Sequence, residues 1–208
     1  MLKTMFGSEE WVPRNFPEPL EDLPSTNGEA RTAVIAGGCF WCTEAVFKQL
    51  EGVTGIRSGY VGGSADTADY RTVCSGATDH AEAIEVTYDP SVISYGQILR
   101  IFFAVAHDPT QKNRQGNDVG PQYRSAIFHI DDAEKHVAAA YIAQLDAAAV
   151  FSAPIVTTLE TFVEFFEAEA YHQDYATLNP MQPYIVHISA PKVAKLRQQF
   201  PEKLKIKD

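Results

Sequence analysis

The stretch Gly37-Gly38-Cys39-Phe40-Trp41-Cys42-Thr43-Glu44 decides how this chain folds around its most reactive side chains. The apolar run before it, residues 33–36, is typical of a short buried strand, and the run after it, residues 45–50, is typical of a helix. Two glycines between a strand and a helix predict a tight turn that leaves room for a close neighbour. Cys39 therefore falls at the start of the helix, where unpaired N–H groups and the helix dipole favour a thiolate.

A second cysteine, Cys42, follows three residues after Cys39. A C-x-x-C pair after a strand and before a helix indicates redox or nucleophilic chemistry. The alternatives are a buried, inert cysteine and a metal site. A structural zinc site needs about four ligands, and the chain offers only Cys74 and scattered histidines beside the pair. We therefore expect a reactive thiol, with no metal and no cofactor.

Length, charge and cysteine count narrow the class of protein. The 208 residues are enough for one domain with a full hydrophobic core. The net charge of −10 argues against nucleic acid as a partner. No apolar stretch is long enough to cross a bilayer, and residues 1–10 lack the apolar core of a secretory signal. Three cysteines make no disulfide framework, so we expect a cytoplasmic protein.

Three parts are predicted along the chain. Residues 1–30 are predicted to form an extended N-terminal arm, because four prolines precede a Ser-Thr-Asn-Gly stretch. Residues 31–180 are predicted to form the catalytic domain, and residues 181–208 a C-terminal extension with one short helix. The apolar side chains by which the arm could pack against the domain are Trp11, Phe16 and Leu20.

The order of the predicted elements indicates the fold class. Strands are predicted at residues 31–36, 53–60, 81–88 and 123–130, with helices at 40–50 and 94–108 between them. Ser94 with Gln97 three residues later is a capping-box signal for the second helix. A helix, a strand and a helix are predicted to follow, at residues 131–149, 155–163 and 192–200. The order β-α-β-β-α-β predicts an α+β fold, a ferredoxin-like split βαβ sheet with helices packed on one face. Irregular N- and C-terminal extensions are expected to flank it.

Glu82 lies in the strand predicted at residues 81–88, where alternation places it on one face with Ile84 and Val86. A carboxyl beside two apolar side chains should be partly desolvated, which raises its pKa and lets it act as a general acid near neutral pH. From the residues alone, the alternative is an ordinary edge-strand glutamate that faces solvent.

Four sequence blocks resemble the peptide methionine sulfoxide reductase A family, and the resemblance extends from about residue 31 to residue 179. The blocks are Gly38-Cys39-Phe40-Trp41 with Glu44, two segments within residues 59–76, His80-Ala81-Glu82-Ala83, and His107-Asp108-Pro109 with residues 114–125. One block alone is weak evidence, but four in order with matching separations are highly specific. The resemblance implies stereospecific reduction of the S-epimer of methionine sulfoxide, free or in peptides, with electrons usually supplied by thioredoxin.

The resemblance also implies which residues react. Cys39 matches the nucleophile that attacks the sulfoxide sulfur, and Glu82 matches the acid that protonates the departing oxygen. Phe40 and Trp41 match the apolar wall that receives the methyl group of the substrate, although an aromatic pair at a helix start is more often core filler.

Three polar residues match groups that bind the sulfoxide oxygen or organise the site. Tyr70 and Tyr123 match tyrosines that donate hydrogen bonds to the oxygen, and Asp118 matches an aspartate that acts through water. The chain has nine tyrosines, so a packing role is the alternative for each. No catalytic role is assigned to His172, and the acidic residue usual beside it is Ala170 here.

Attack by Cys39 leaves a sulfenic acid, which many family members resolve with cysteines near the C-terminus. This chain departs from that pattern, because no cysteine follows residues 179–180. One helical turn separates Cys39 from Cys42, so their Cα atoms should lie about 5–6 Å apart, within disulfide range. We expect Cys42 to be the resolving cysteine, with Cys74 or an external thiol as the alternatives.

The expected partners are methionine sulfoxide, free or in peptides, and thioredoxin as reductant, with no nucleic acid and no membrane. The chain is expected to act as a monomer. One rival activity is general thiol–disulfide exchange through Cys39 and Cys42, which requires neither Glu82 nor a pair of tyrosines. A second is a cysteine hydrolase that pairs Cys39 with His80 or His107. The third rival is a binding module without catalysis.

Overall fold

The computed structural model describes residues 16–25 and 28–206. Its strands are β1 (Arg31–Gly37), β2 (Val53–Val61), β3 (Ala81–Tyr88), β4 (Arg114–Gln115), β5 (Asp118–Val119), β6 (Ser125–His129), β7 (Thr158–Thr161) and β8 (Phe165–Glu167). Its α-helices are α1 (Phe40–Phe47), α2 (Tyr70–Cys74), α3 (Tyr95–Ile101), α4 (Asp132–Ala147), α5 (Tyr175–Leu178) and α6 (Ala190–Gln199). The predicted α+β class is confirmed. In the described residues no helix is long and apolar enough to span a membrane.

Six of the strands form one sheet in the order β7-β6-β1-β3-β2-β8, and β4 pairs with β5 in a separate hairpin. Neighbours in the large sheet are antiparallel, except for β6 and β7, which are parallel. Successive side chains of a strand point to opposite faces. One face therefore contributes Ile35, Ile84 and Val86 to the main hydrophobic core, and the other contributes Val34 and Ala83 to a smaller one.

The main core lies between the sheet and the helices. Each of four helices contributes buried apolar side chains to it, including Phe47 of α1, Leu99 of α3, Leu145 of α4 and Leu196 of α6. Burial of one such side chain contributes about 1.5–3 kcal/mol. Because α6 shares this core, the C-terminal segment is packed firmly against the rest of the fold. The smaller core on the opposite face is covered by Phe162 and Phe165.

Most of the predicted elements are confirmed. β1, β2 and β3 agree with their predicted ranges to within about one residue at each end. Ser94 caps α3, with its Oγ accepting a hydrogen bond from the Gln97 N–H at 3.2 Å. Asp131 caps α4 in the same way, accepting from the Glu134 N–H at 2.8 Å. The strand predicted at residues 123–130 begins only at Ser125, after a 3₁₀ turn.

The elements that the sequence did not predict surround the candidate site. Helix α2 lies between the strands predicted at residues 53–60 and 81–88, and the β4–β5 hairpin lies between the helix predicted at 94–108 and the strand predicted at 123–130. Strand β8 and helix α5 lie between the strand predicted at 155–163 and the helix predicted at 192–200. All are between two and five residues long, which is too short for an apolar periodicity to be detected. Asp69 was the one local signal for the start of α2, because aspartate is a preferred helix N-cap. Its carboxylate accepts a hydrogen bond from the Thr72 N–H.

The described part of the N-terminal arm, residues 16–25, lies against α3 and α4. Phe16 joins the main core, with 3 % of its surface exposed, as predicted. The prediction for Leu20 is wrong: its side chain is 84 % exposed, because the contact is made by its backbone N–H, which donates to Gln144 at 3.0 Å. Trp11 lies outside the described residues.

Candidate active site

Cys39 lies at the N-terminus of α1, directly after the predicted glycine turn. Gly38 has φ of +85°, a left-handed conformation that favours glycine. A Cβ atom there would lie 2.6 Å from the Gln115 side chain, so the close neighbour expected at this turn is Gln115. The Cys39 carbonyl accepts a hydrogen bond from the Cys42 N–H at 3.1 Å. The predicted position of Cys39 at a helix start is therefore confirmed.

Glu82 extends from β3 toward the same turn, and only 1 % of its surface is exposed. Its Oε2 accepts a hydrogen bond from the backbone N–H of Phe40 at 3.1 Å. That N–H is one of the unpaired donors at the start of α1, so the helix end holds the carboxyl beside Cys39. Burial raises the pKa of Glu82 to about 8, against the opposing effect of the Phe40 hydrogen bond. The carboxyl is therefore protonated at neutral pH, as a general acid must be.

The two thiols of the C-x-x-C pair have opposite tendencies to ionise. Burial raises the pKa of Cys39, and contacts with Cys42 and Glu82 act in the same direction. The contact with Cys39 lowers the pKa of Cys42, and the charge of Lys192 also favours the Cys42 thiolate. Burial thus opposes the effect of the helix N-terminus on Cys39. Ionisation of the Cys39 thiol consequently requires a nearby group that accepts its proton.

Phe40 and Trp41 form an aromatic wall beside Cys39. The Phe40 ring is buried, with its centre 5.9 Å from the Tyr60 ring and 5.1 Å from the His172 ring. The Trp41 ring stacks on Tyr175 with 3.8 Å between the ring centres. Its Nε1–H donates a hydrogen bond to His172 Nδ1 at 3.1 Å. Both aromatic residues predicted from the sequence therefore have fixed orientations.

Tyr70 begins α2, Tyr123 ends the 3₁₀ turn before β6, and both side chains lie within hydrogen-bonding reach of the Cys74 sulfur. Burial raises the pKa of both phenols, and the neighbouring Glu82 acts in the same direction on each. Both tyrosines therefore remain protonated and able to donate. Cys74, the alternative resolving cysteine, lies beside this pair of donors.

Asp118 lies in β5, and its Oδ2 accepts a hydrogen bond from Tyr184 Oη at 2.5 Å. The same Tyr184 Oη lies 3.8 Å from Cys42 Sγ, within hydrogen-bonding range for sulfur. The sequence indicated Asp118 but not Tyr184, which follows Cys42 by 142 residues. No local pattern could have associated the two, because Tyr184 reaches the site only through the packing of the C-terminal segment.

Glu169 is a second residue that the sequence did not reveal. It accepts hydrogen bonds from Tyr60 Oη and from the backbone N–H of Tyr70, both at 2.9 Å. Its Oε2 lies 3.9 Å from the buried Nε2 of His172. The acidic residue expected at position 170 is thus replaced by a carboxylate one residue earlier. The acidic residues Glu167 and Glu169, close before His172 in the sequence, were the available signal.

Glu44 belongs to the same sequence block as Cys39 and anchors the chain that covers the site. Its buried Oε1 accepts a hydrogen bond from the Asp174 N–H at 2.9 Å. Asp174 has a left-handed backbone, with φ of 55°, and its carboxylate pairs with Lys48 at 2.5 Å. The next residue is Tyr175, which stacks on Trp41. Glu44 therefore fixes the backbone that positions this stack.

The two histidines considered for a hydrolase have other partners. Both ring nitrogens of His80 bond to backbone groups of the glycine-rich loop. His107 Nδ1 donates to the Phe102 carbonyl, which leaves Nε2 to accept from Ser125 Oγ at 2.6 Å. Burial lowers the pKa of His107 to about 3. These contacts argue against a thiol–imidazole pair at Cys39. Within residues 16–25 and 28–206, no cluster of three or more potential ligands could hold a metal ion.

Comparison with known proteins gives consistent matches. A family model described as peptide methionine sulfoxide reductase matches residues 31–204. Peptide methionine sulfoxide reductase MsrA 2 of Mesorhizobium japonicum is 55 % identical over 172 residues, which cover 83 % of this chain and 88 % of that protein. Peptide methionine sulfoxide reductase MsrA of Deinococcus radiodurans is 53 % identical over 173 residues, covering 83 % of this chain and 84 % of that protein.

Solved structures match as well. Mxr1 from Saccharomyces cerevisiae in reduced form gives a TM-score of 0.68 at 34 % identity, covering 76 % of this chain and 91 % of that one. Methionine sulfoxide reductase A of Corynebacterium diphtheriae gives a TM-score of 0.61 at 31 % identity, covering 86 % of this chain and 93 % of that one.

Proposed function

The chain belongs to the peptide methionine sulfoxide reductase family, and we propose that it reduces methionine S-sulfoxide, free or in peptides, with Cys39 as nucleophile. The observation that supports this most directly is the buried Glu82 carboxyl, held by the Phe40 N–H beside Cys39. Sulfoxide reduction needs a thiol to attack sulfur and an acid to protonate oxygen. This pair supplies both.

In the first step the Cys39 sulfur attacks the sulfoxide sulfur, and the oxygen is transferred to Cys39. The thiol proton passes through the Glu82 carboxyl to that oxygen. Methionine and a Cys39 sulfenic acid are therefore the products, and Glu82 returns to its starting state. Tyr70 and Tyr123, which stay protonated, donate hydrogen bonds to the oxygen as negative charge develops on it.

The aromatic wall orients the substrate for this attack. Burial of one methyl group against Phe40 and Trp41 contributes on the order of 1 kcal/mol. That is enough to favour the orientation in which the oxygen faces the tyrosines. The hydrogen bond from Trp41 to His172 keeps the indole ring from rotating out of this position. We assign substrate binding to Phe40 and Trp41 on these contacts.

In the second step Cys42 attacks the Cys39 sulfenic acid, which gives a Cys39–Cys42 disulfide and water. Two observations favour Cys42 over Cys74. Cys42 is hydrogen-bonded to Cys39, whereas Cys74 lies against Tyr70 and Tyr123. A dithiol of the thioredoxin type then reduces the disulfide and regenerates both thiols.

The test is reduction of both sulfoxide epimers with thioredoxin, with the intact mass measured after one turnover. We expect turnover of the S-epimer only and none by Cys39→Ser. Cys42→Ser should form about one methionine per enzyme and then stop, whereas Cys74→Ser should still form the internal disulfide. Full thioredoxin-driven turnover by Cys42→Ser would reject Cys42 as the resolving residue. Loss of the disulfide in Cys74→Ser alone would assign that role to Cys74.

We also infer a finer description of the fold. Strands β6, β1, β3 and β2 are adjacent and antiparallel in that order, which is the arrangement of a ferredoxin-like split βαβ sheet. Residues 31–180 form the catalytic domain in this description, and residues 181–208 form an extension that adds Tyr184 to the site. Because the extension contributes Leu196 and Phe200 to the main core, its removal is expected to destabilise the fold as well as to impair activity.

We further propose that the chain acts as a monomer in the cytoplasm. All three cysteines are free, which suits a reducing compartment. Size-exclusion chromatography with light scattering tests the oligomeric state, and cell fractionation tests the compartment. A stable dimer, or enrichment in a secreted fraction, would contradict the respective proposal.

A further inference from the structure

Cys42, Tyr184 and Asp118 form a continuous hydrogen-bonded chain, and the Tyr184 hydroxyl also lies within hydrogen-bonding reach of the Cys39 thiol. Cys42 Sγ lies 3.8 Å from Tyr184 Oη, and Tyr184 Oη donates to Asp118 Oδ2 at 2.5 Å. The first member is almost fully buried, with 1 % of the Cys42 surface exposed. The last member, Asp118, is only partly buried and retains some solvent exposure. The chain of contacts therefore connects a buried thiol with a carboxylate that reaches solvent.

Contact with the Cys39 thiol is the main cause that lowers the pKa of Cys42, and that thiol is consumed when the sulfenic acid forms, so burial then favours the protonated Cys42 thiol. A buried thiol must lose its proton before or as it attacks a sulfenic acid, because the thiolate is the nucleophile. Solvent has almost no access to Cys42, so a protein group must be the first acceptor. Tyr184 Oη contacts both the thiol and a carboxylate. Burial raises the pKa of Tyr184, so the phenol stays neutral. It can accept the thiol proton only while it gives its own proton away, and Asp118 is positioned to take it.

We propose that Tyr184 relays the Cys42 proton to Asp118 while Cys42 attacks the Cys39 sulfenic acid. The Cys42 S–H and Cys39 S–O bonds break, and the S–S bond forms. Glu82 protonates the departing hydroxyl, which leaves as water. Cys42 is oxidised and the Cys39 sulfur is reduced by the same electron pair. Asp118 then releases its proton to solvent, and Glu82 takes one up. The inference rests on the proposed function, because it requires Cys42 to be the resolving cysteine.

The charged and titratable groups around Cys42 come from every element packed on it. They are Cys39 at the start of α1, Asp118 on β5, Glu82 on β3, Lys192 on α6 and Tyr184 before α6. Lys192 is the cation of this set and favours the Cys42 thiolate, whereas Asp118 opposes it. Only Tyr184 is hydrogen-bonded to both Cys42 and Asp118. The relay is therefore assigned to Tyr184 rather than to the cation.

The test separates the two steps in Tyr184→Phe, which removes only the relaying oxygen. Enzyme is mixed with one equivalent of substrate and quenched at intervals. Methionine, sulfenic acid trapped by dimedone, and disulfide are then quantified by mass. We expect the sulfenic acid to be converted to disulfide about tenfold more slowly or worse. Tyr171→Phe is the matched control, because Tyr171 is an exposed tyrosine outside this chain of hydrogen bonds. It should resolve at the wild-type rate.

A pH profile separates a relay from a structural role. Without Tyr184 Oη, Cys42 depends on solvent bases, so disulfide formation in Tyr184→Phe should accelerate from about pH 6 to about pH 9. The deficit relative to wild type should shrink across that range. Asp118→Asn keeps a hydrogen-bond acceptor but cannot take the proton, so it should slow the same step. The double variant should be no slower than the slower single variant, because both substitutions interrupt the same proton relay and their effects do not add.

Two results would overturn the relay: disulfide formation by Tyr184→Phe at the wild-type rate, or a deficit that stays constant with pH. Failure of the proposed function would look different. Full turnover by Cys42→Ser removes Cys42 as the resolving residue, and the relay with it. If the Cys39–Cys42 disulfide forms equally fast with and without Tyr184 Oη, Cys42 remains the resolving residue and only the relay through Tyr184 is rejected.

Discussion

The active site has two halves that are held in different ways. The reacting half consists of Cys39 and Glu82, which lie on the β1–α1 turn and on β3, two segments joined by the antiparallel pairing of β1 with β3. The covering segment, residues 169–184, contains only one four-residue α-helix. It is held by side chains, chiefly through the hydrogen bonds of Glu44 and Glu169. Backbone pairing of strands holds Cys39 and Glu82 in place. Side-chain contacts hold the residues that orient the substrate and the residue proposed to accept the Cys42 proton.

The largest effect should come from the reacting half. Glu82→Gln keeps the shape of the side chain but removes its acidic proton, and we expect methionine formation to slow by about 10²–10⁴-fold. In the wild type the rate should fall as pH rises through about 8, because ionised Glu82 cannot protonate the oxygen. The variant should lose this decline. Single-turnover rates measured across this pH range provide the test.

The matched control is Glu85→Gln. Glu85 lies in the same strand but on the opposite face, where it pairs with Arg57 at the surface. This variant should keep both the rate and its pH dependence. Equal loss in the two variants would mean that the strand has been disturbed, and it would contradict a specific role of Glu82 as the acid.

The covering segment should lose stability when its anchor is removed. Glu44→Ala leaves the Asp174 N–H without its acceptor, so the free energy of unfolding should fall by about 2 kcal/mol. Urea denaturation, followed by tryptophan fluorescence, measures the change. Glu44→Gln retains an oxygen acceptor and should lose much less. A loss as large in Glu44→Gln would assign the stabilisation to the carboxylate charge instead of the hydrogen bond.

The orientation of Trp41 should affect substrate binding more than the chemical step. His172→Ala removes the acceptor of the Trp41 Nε1–H, and we expect KM to rise about fivefold, since one hydrogen bond contributes about 1 kcal/mol. His172→Asn can still accept at the equivalent position and should recover most of the loss. Steady-state kinetics with a sulfoxide peptide distinguish KM from kcat. A fall in kcat at constant KM would place His172 in the chemistry.

The same contrast explains which features could be predicted from sequence. Cys39 and Glu82 were found because regular elements place them: a glycine turn at a helix start, and two-residue alternation along β3. Glu169 was missed because it lies in a segment of short elements, and Tyr184 because the helical C-terminal segment reaches the site only through tertiary packing. Alternation and helical periodicity describe neighbours within an element. They contain no information on which distant side chain a loop places against Cys42.

The described part of the N-terminal arm, residues 16–25, provides a third region, which contacts α3 and α4. Asp22 accepts hydrogen bonds from the Gly96 N–H at 2.8 Å and from Ser94 Oγ at 2.5 Å, so it caps α3 from outside the helix. Asp22→Ala should lower the free energy of unfolding by about 1 kcal/mol. Thermal or urea denaturation measures this, with Glu29→Ala, an exposed carboxylate ahead of β1, as the control.

Activity of Asp22→Ala then tests whether the arm is independent of the reacting half. A π-helical turn extends α3 and brings the Phe102 ring to 2.8 Å from the point where a Cβ of Gly37 would lie. Loosening of the cap at the far end of α3 should not move this contact, because Phe102 is fully buried in the main core. Methionine and disulfide formation should therefore keep their wild-type rates. A slower first step would mean that loss of the cap displaces the turn before Cys39 through α3. The reacting groups would then depend on α3 for their positions as well as on the sheet.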